Sequence, residues 1–439
     1  MALSGIQIYK LLPQTNCKEC GFPTCLAFAM KLAAKQVELS ACPYVSEASK
    51  TQLEESAAPP IRLISLKSDG FEVKAGNEVV LYRHEKTFYN KPGIFIKLSD
   101  DQPADQIKTE AQRINGYMVS YVGVDLTIDG LAIESKTGDP QKYSEAMKAI
   151  RSECKRPLIL VSNDPKVIEA GLSAVTNENC MLCYANETNV DAMVEIAKNQ
   201  KAVLAVGGEN LDVLAGLVEK AKSKGLEDIV LFPISTELGK GLLLNTQIRR
   251  LAIKSNFRSL GYPTLVFAST PAEATQAISK YAGFVVLDHF APELVYPLLV
   301  LRQNIYTDPQ KPIQVQPGLY EINNPKPEDP VLVTTNFSIT YFSVANEVEG
   351  SGMPAWLVVA DAEGMSVLTA WAAGKFDSER IAKSIKTFSI SDKVSKKRLV
   401  IPGHVAVLSG ELESDLPDWE IRVGPREAVD LPKFMKEAL

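Results

Sequence analysis

Short apolar runs of β type, each followed by a helical pattern, recur from residue 94 to residue 287, and this rhythm constrains the fold more than any other feature. The runs are Ile94–Leu98, Tyr117–Val124, Leu158–Val161, Met181–Tyr184, Val203–Val206, Ile229–Pro233, Leu265–Phe267 and Phe284–Leu287. Segments such as DAMVEIAKNQ and NLDVLAGLVEKAKSKG separate them, with apolar residues at helical spacing. Eight strand–helix units of this kind predict a (β/α)8 TIM barrel. Polar residues follow several strands: Asp125, Asn163, Asn186, Glu187, Glu209 and Asp288. In a barrel such positions face the functional rim. No catalytic pair stands out among them, and roles as helix caps and loop residues account for them better.

Four of the seven cysteines lie between residues 17 and 42, spaced Cys17-x2-Cys20-x4-Cys25-x16-Cys42, with Pro43 directly after the last. An odd cysteine count in a reducing compartment disfavours disulfides, so clustered thiols imply metal or redox chemistry. Structural zinc usually takes its thiolates as two C-x2-C pairs. An iron–sulfur cluster often takes three close cysteines and one distant one. The spacing favours a 4Fe–4S cluster over zinc. Gly21 permits a tight turn after Cys20, and Pro23 stiffens the loop. Leu26 to Leu39 then reads as a helix, with Leu26, Met30, Ala33 and Val37 at helical spacing, returning the chain to Cys42. The pair Cys180 and Cys183 has no second pair nearby and reads as small hydrophobes in a buried strand. Cys154 gives no signal.

At 439 residues the chain is long enough for about three domains. Its 46% hydrophobic and 23% charged residues are those of a globular protein with real cores. A net charge of −6 argues against a nucleic-acid partner, whose footprint would be a basic stripe. The one dense basic run, Lys396–Lys397–Arg398, reads as the solvated start of a strand. No apolar run reaches the roughly 18 to 20 residues that span a bilayer, and the N-terminus lacks a secretory pattern, so no membrane is expected and the location reads as cytoplasmic.

The segment QLEESAAPP, residues 52–60, reads as a linker. Residues 61–89, including NEVVLYRHEKTFY, suggest a hairpin ahead of the barrel. Residues 309–330 hold six prolines and suit neither a regular helix nor a central strand, which suggests a stiff connector or a surface wrap. Beyond them, PVLVTTN, AWLVVADA, RLVIPG, HVAVLSG and WEIRVG read as strands. SITYFSVANEVEG, DSERIAKSIKTF (capped by Asp377) and LPKFMKEAL (with Pro432 at its first position) read as helices. The expected architecture is therefore α/β and multidomain: a cysteine module over 1–58, the barrel over 59–308, a Pro-rich linker over 309–330, and a doubly wound, Rossmann-like α/β domain over 331–439. Such sheets bind ligands at the carboxyl ends of their strands.

Three features of that last unit suggest a ligand platform. Thr340, Ser343 and Asn346 form a polar stripe on one helix, which faces either water or a partner group. Ala370, Ala372 and Ala373 surround Trp371, and small residues let a flat ligand approach the backbone or let elements pack closely. Lys433 lies near the start of the last helix, where acceptors are favoured, though a solvated lysine is the default. Of the histidines, His84, His289 and His404, none lies in the Asp-x-His-x-x-Gly loop by which many corrinoid proteins ligate cobalt, and each reads as structural or superficial.

The cysteine module, the central barrel and the C-terminal α/β domain, in this order, resemble the large (gamma) subunits of the corrinoid/iron–sulfur proteins of the acetyl-CoA (Wood–Ljungdahl) pathway of anaerobes. The resemblance covers essentially the whole chain. It implies a 4Fe–4S cluster on Cys17, Cys20, Cys25 and Cys42. It also implies a cobamide held by the face that carries Thr340, Ser343, Asn346, Ala370, Trp371, Ala372, Ala373 and Lys433. The implied role is methyl carriage rather than catalysis by side chains: Co(I) takes a methyl group from methyltetrahydrofolate on a separate methyltransferase. It then delivers that group to the nickel–iron–sulfur site of acetyl-CoA synthase/CO dehydrogenase. The cluster re-reduces Co(II), fed by a low-potential reductant or a reductive activator, and a small subunit completes a heterodimer. Co(I) favours few axial ligands, so the missing histidine loop suits a base-off corrinoid with no protein histidine on the metal. Two rival readings are an electron-transfer iron–sulfur protein and a methyltransferase whose barrel binds a pterin. A barrel that docks the small subunit is preferred to the latter.

Overall fold

The computed structural model describes residues 4–34, 36–47, 49–50, 53, 59–175, 178–307 and 312–439. They group into two units, Met1–Val119 with Leu126–Tyr306, and Ser120–Asp125 with Thr307–Leu439. Of the expected linker at 52–60, residues 52 and 54–58 lie outside the described residues, as do 309–311 of the Pro-rich stretch.

In the first unit, helices α1 (Gly5–Leu11) and α2 (Cys25–Ala33) build a small apolar cluster around Ile8, Leu12, Phe28 and Ala29. Ser4 and Gln7 form a capping box at α1, and Thr24 caps α2 by accepting from the Ala27 N–H at 3.1 Å. The helix is shorter than its sequence pattern suggests. It stops at Ala33, and Leu39–Ala41 form a separate single turn. Val37 and Leu39 fold back onto the Phe28 cluster, from which a continued helix would carry them away. The buried face is also different: Cys25, Phe28 and Ala29 point inward, while Leu26 and Met30 are exposed.

The strands β1 (Ile64–Ser68) and β2 (Phe71–Ala75) pair antiparallel as a hairpin. NEVVLYRHEKTFY, which follows, carries no strand. Its Glu78 is buried instead, accepts from the Tyr89 N–H at 3.0 Å and faces Arg249 at 3.5 Å, so a polar anchor closes a loop where alternation suggested pairing.

Eight parallel strands then close a barrel: β3 (Gly93–Ser99), β6 (Gly130–Glu134), β7 (Leu158–Val161), β8 (Met181–Ala185), β9 (Val203–Gly208), β10 (Ile229–Pro233), β11 (Thr264–Ala268) and β12 (Ala282–Leu287). They alternate with α3 (Ala104–Asn115), α4 (Pro140–Glu153), α5 (Pro165–Leu172), α6 (Val190–Gln200), α7 (Leu211–Ser223), α8 (Leu238–Lys254), α9 (Pro271–Ser279) and α10 (Pro292–Tyr306). One expected barrel strand is corrected. Residues 117–124 lie largely in a hairpin between α3 and β6, with strands β4 (Met118–Tyr121) and β5 (Val124–Thr127) turning at Val122 and Gly123, both at positive φ. The barrel strand is the next run, GLAIE. It begins with glycine because a Cβ on Gly130 would fall 2.3 Å from the Phe95 ring. Phe95, Phe284 and Met181 fill the interior, and Ile64, Leu66 and Val73 of the β1–β2 hairpin join this core. The interior is thus packed by side chains.

The second unit is a five-stranded sheet in the order β13-β15-β14-β16-β17, with β13 (Gly318–Ile322) antiparallel to β15 (Ala355–Ala360). The strands β14 (Val331–Thr335), β15, β16 (Arg398–Ile401) and β17 (Glu420–Val423) are parallel. The Pro-rich stretch therefore supplies an edge strand, which its composition allows because an edge strand need not donate on both sides. Helices cover both faces. From one side α11 (Ser338–Ser351) and α16 (Leu431–Ala438) bury Val348 and Met435. From the other α12 (Val367–Ala372), α13 (Ser378–Thr387), α14 (Ile390–Lys393) and α15 (Ser409–Asp415) bury Ala370, Ile381, Ile390 and Leu412. Asp377 caps α13 through the Arg380 N–H at 2.8 Å. HVAVLSG is not a strand but a helical turn over Gly403–Leu408 that runs into α15. Val405, Leu408 and Leu412 are spaced for one helical face and are all buried. Pro432 is the second residue of α16, not the first.

Candidate functional site

β14 lies between β15 and β16, and the helices that follow β14 and β16 leave toward opposite faces of the sheet. The carboxyl ends of these two strands therefore form a topological switch point, the place where open α/β sheets leave a crevice. A cavity of about 310 Å³ opens there. Leu332, Val333 and Thr334 of β14 and Val400 and Ile401 of β16 form its floor, and Ile339, Thr340 and Ser343 of α11 form one wall. Ser366 and Leu368 at the start of α12, together with His404, Arg426 and Glu427, complete the lining.

The lining is apolar at the base and polar at selected points. Thr334 is 1% exposed, and its Oγ1 has no hydrogen-bond partner. Thr335 Oγ1 and Ser338 Oγ nearby are likewise buried without a partner. Unpaired buried hydroxyls are costly, and of these three Thr334 is the one that lines the cavity. Asn336, two residues on, is by contrast fully engaged. Its Oδ1 accepts from the Ala362 and Gly364 N–H groups at 2.9 and 3.0 Å, fixing the loop that leads to α12. His404 Nε2 lies 3.7 Å from Glu427 Oε1 on the lip. Ile339 and Leu368, both in the lining, leave 47% and 46% of their surface exposed, so the outer wall is apolar as well.

Of the residues expected on this face, Thr340 and Ser343 line the cavity. The polar stripe continues away from it, since Asn346 is exposed one turn further along α11, and Ser343 Oγ already donates to the Ile339 carbonyl at 2.8 Å. Ala370 is buried in the core beneath α12, whereas Trp371, Ala372 and Ala373 are exposed at its end. Lys433 is exposed in the first turn of α16. Sequence reading missed Thr334, Ser366, Arg426 and Glu427, and set His404 aside as structural or superficial. No local signal marked Thr334, whose burial and unpartnered hydroxyl appear only in the fold.

The four clustered cysteines belong to the α1–α2 module. Cys25 is buried as the first residue of α2, Cys20 and Cys42 pack half-buried against the same cluster, and Cys17 is exposed. Asn16 grips Cys25 twice. Its Oδ1 accepts from the Cys25 N–H at 2.8 Å, and its own N–H donates to Cys25 Sγ at 3.4 Å. The loop bends through positive φ at Gln14, Asn16, Lys18 and Gly21. The donor set, four thiols with a backbone N–H already on one sulfur, suits thiolate ligation of a metal cluster. Among the described residues, no three Cys, His, Asp or Glu side chains form a group that could hold a metal ion as they stand. Cys180 and Cys183 are buried in and beside β8. Burial pushes the Cys180 thiol up to about 12 and the Cys183 thiol well above its usual range, so both stay protonated.

At the barrel's C-terminal mouth, Lys97 bridges Glu134 and Asp288, and Tyr184, Phe232 and Phe267 pack edge to face with 5.3 Å between ring centroids. Of the polar residues expected at the strand ends, Asp288 is held by Lys97 and others by their own loops. Asn186, for example, accepts from the Thr188 and Asn189 N–H groups of its own loop.

The family model of the CO dehydrogenase/acetyl-CoA synthase delta subunit matches residues 64–435, and a second model, for an Fe–S cluster segment, matches residues 12–44. The corrinoid/iron–sulfur protein large subunit of Moorella thermoacetica is 43% identical over 445 residues, covering 100% of both chains. This chain belongs to the corrinoid/iron–sulfur protein large-subunit family. The gamma subunits of the acetyl-CoA decarbonylase/synthase complexes of Methanopyrus kandleri and Archaeoglobus fulgidus are each 35% identical to this family member, over 99% and 97% of it and 98% and 96% of their own length. Among solved structures, the dihydropteroate synthase of Yersinia pestis covers 56% of the chain and 99% of its own at 16% identity and a TM-score of 0.39, a likeness too loose to carry an argument. No helix among the described residues is long and apolar enough to cross a membrane.

Proposed function

We propose that this chain is the methyl-carrying subunit of a corrinoid methyl-transfer system. It would receive a methyl group from methyltetrahydrofolate through a separate methyltransferase and pass it to the nickel–iron–sulfur site of an acetyl-CoA synthase. The observation that carries the reading is the switch-point cavity, with its unpartnered Thr334 hydroxyl and apolar outer wall, on a chain that also carries a four-thiol module. When bound, a base-off cobamide supplies a cobalt nucleophile for the methyl group, and a 4Fe–4S cluster supplies low-potential electrons that restore it after oxidation.

The chain's own residues would divide the work. Cys17, Cys20, Cys25 and Cys42 would hold the cluster, with Asn16 setting the position of Cys25. At the cavity, Thr340 and Thr334 offer hydroxyls to the cofactor's polar arms, while Ile339 and Leu368 offer an apolar, water-excluding surface beside it. Asn346, Trp371, Ala372, Ala373 and Lys433, on the exposed surface of the same domain, are proposed to contact the parts of the cofactor outside the cavity. A small corrinoid/iron–sulfur subunit would cover the remaining side, and a low-potential reductant or activator would serve the cluster. The barrel is proposed to dock the small subunit rather than to bind a pterin.

The test is methyl transfer itself. The full chain, reconstituted anaerobically with cobamide and the small subunit, is mixed with methyl-labelled methyltetrahydrofolate and its methyltransferase. Label retained on the reconstituted protein and then lost to acetyl-CoA synthase is expected. Label that never leaves the folate, although cobamide is bound, would contradict the proposal.

A further inference from the structure

The clustered thiols sit on separate stretches of chain, and the backbone does little to hold those stretches together. Cys17 and Cys20 belong to a loop that bends through positive φ at Asn16, Lys18 and Gly21. Cys42 follows the single turn Leu39–Ala41 in an extended conformation, with φ −100° and ψ 109°. Pro43, directly after it, has no N–H to donate. Among the described residues, no backbone hydrogen bond joins residues 16–21 to residues 42–45.

A side-chain bond spans the gap. Tyr44 Oη donates to Glu19 Oε1 at 2.8 Å, across 25 residues of sequence. Glu19 lies between Cys17 and Cys20, and Tyr44 lies just beyond Cys42 and Pro43. The bond therefore ties the C-x2-C loop to the segment that carries the distant thiol. Burial does not account for it, because Glu19 is exposed and Tyr44 leaves 52% of its surface exposed. Cys20 and Cys42 pack half-buried against the Phe28 cluster, which fixes their depth, while the outer rim with Cys17 is open to solvent. The Tyr44–Glu19 pair closes that rim.

We propose that Glu19 and Tyr44 are positioning residues for the iron–sulfur cluster, and that their bond keeps the segment carrying Cys42 beside the loop in which the cluster assembles. The inference rests on the reading of the four thiols as cluster ligands, and neither Glu19 nor Tyr44 is itself a ligand. A segment already held in place loses less freedom when the cluster forms, and its thiol departs less readily afterwards.

The experiment uses the full-length chain, reconstituted anaerobically with iron and sulfide. It measures iron per chain and the rate at which a chelator removes that iron. Tyr44→Phe keeps the ring and deletes the donor. It releases iron about 3- to 10-fold faster than wild type, the weight of one modest hydrogen bond. Glu19→Ala does the same, and the double variant is no faster than either single one, because one bond can be lost only once. Glu19→Gln keeps an acceptor oxygen at the same reach and stays within about 2-fold of wild type. The far-UV circular dichroism of the ligand-free chain is the same in all of them, since the bond is exposed and buries nothing. Wild-type release in Tyr44→Phe would overturn the pair's role, as would effects that multiply in the double variant or a Glu19→Gln protein as fast as Glu19→Ala. Each of these leaves the cluster reading standing. If Glu19→Ala fails to fold, Tyr44→Phe and Glu19→Gln decide the matter. Wild type that takes up no iron overturns the cluster reading and the positioning role with it.

Discussion

Lys97 Nζ stands 2.8 Å from Asp288 Oδ1, linking the first barrel strand to the residue that follows the neighbouring last strand, and reaches Glu134 Oε2 of the strand on its other side at 3.3 Å. Burial alone would lift the Asp288 carboxyl, but the hydrogen bonds from Lys97 and Ser269 and the Lys97 charge hold it below the usual carboxylate range. Burial alone would lower Lys97, yet its two carboxylates raise it. A depressed acid contributes stability above its unfolded value, about 3.9, and loses it as pH falls through the folded value. A raised lysine contributes stability below about 10.4 and loses it as pH rises through its folded value. Asp288→Asn should therefore cost about 1–2 kcal/mol at pH 7, with the partial exposure of the pair keeping the figure low. The difference from wild type should shrink below about pH 4. Urea unfolding at pH 7 and pH 3 measures it, and an equal deficit at both would refute the linkage.

Asn16 ties the cysteine loop to Cys25 through two hydrogen bonds, in a left-handed conformation that asparagine adopts more readily than alanine. Asn16→Ala should release iron to a chelator at least several-fold faster than wild type with unchanged far-UV circular dichroism. Asn16→Asp, which keeps the acceptor oxygen, should fall between them. Identical release rates for all three proteins would show that the pair does not position the ligand.

The two groups of cysteines should separate cleanly in iron content. Cys25→Ala should lose iron, whereas Cys183→Ala, deep in the barrel, should keep it and pay only in packing, by about 1–2 kcal/mol. Cys20→Ala should still carry methyl groups when its cofactor is reduced chemically beforehand, but should fail to recover after oxidation. Loss of both abilities together would contradict the proposed division between module and cavity.

Gly130 has no room for a side chain, because its Cβ would meet both the Phe95 ring and the Pro157 carbonyl at 2.3 Å. Gly130→Ala should destabilise the barrel by roughly 1–3 kcal/mol through overpacking. Thermal unfolding followed by circular dichroism checks this, and an unchanged midpoint would show that the barrel floor adjusts freely.

The barrel was legible because each buried parallel strand is a short apolar run, and helical spacing between runs leaves few alternatives. The misplaced strand shows the limit of that signal. Residues 117–124 alternate as a half-exposed hairpin does, while β6 is a short run opened by a glycine whose need is visible only beside Phe95. The cysteine module was legible by spacing alone, but the reciprocal bonds of Asn16 were not, since they depend on a left-handed backbone. At the cavity, local pattern identified α11 through Thr340 and Ser343. It could not bring in Thr334, His404 and Arg426, which come from three separate strand ends and meet only because β14 lies between β15 and β16.

The account depends on one chain keeping both a cluster and a corrinoid. The direct measurement is iron and cobalt per chain in protein purified anaerobically and reconstituted with cobamide and the small subunit. About four irons and one cobalt per chain are predicted, with the iron lost in Cys25→Ala and the cobalt retained. Iron without cobalt would leave an electron carrier with an unexplained cavity, and would contradict the account at its centre.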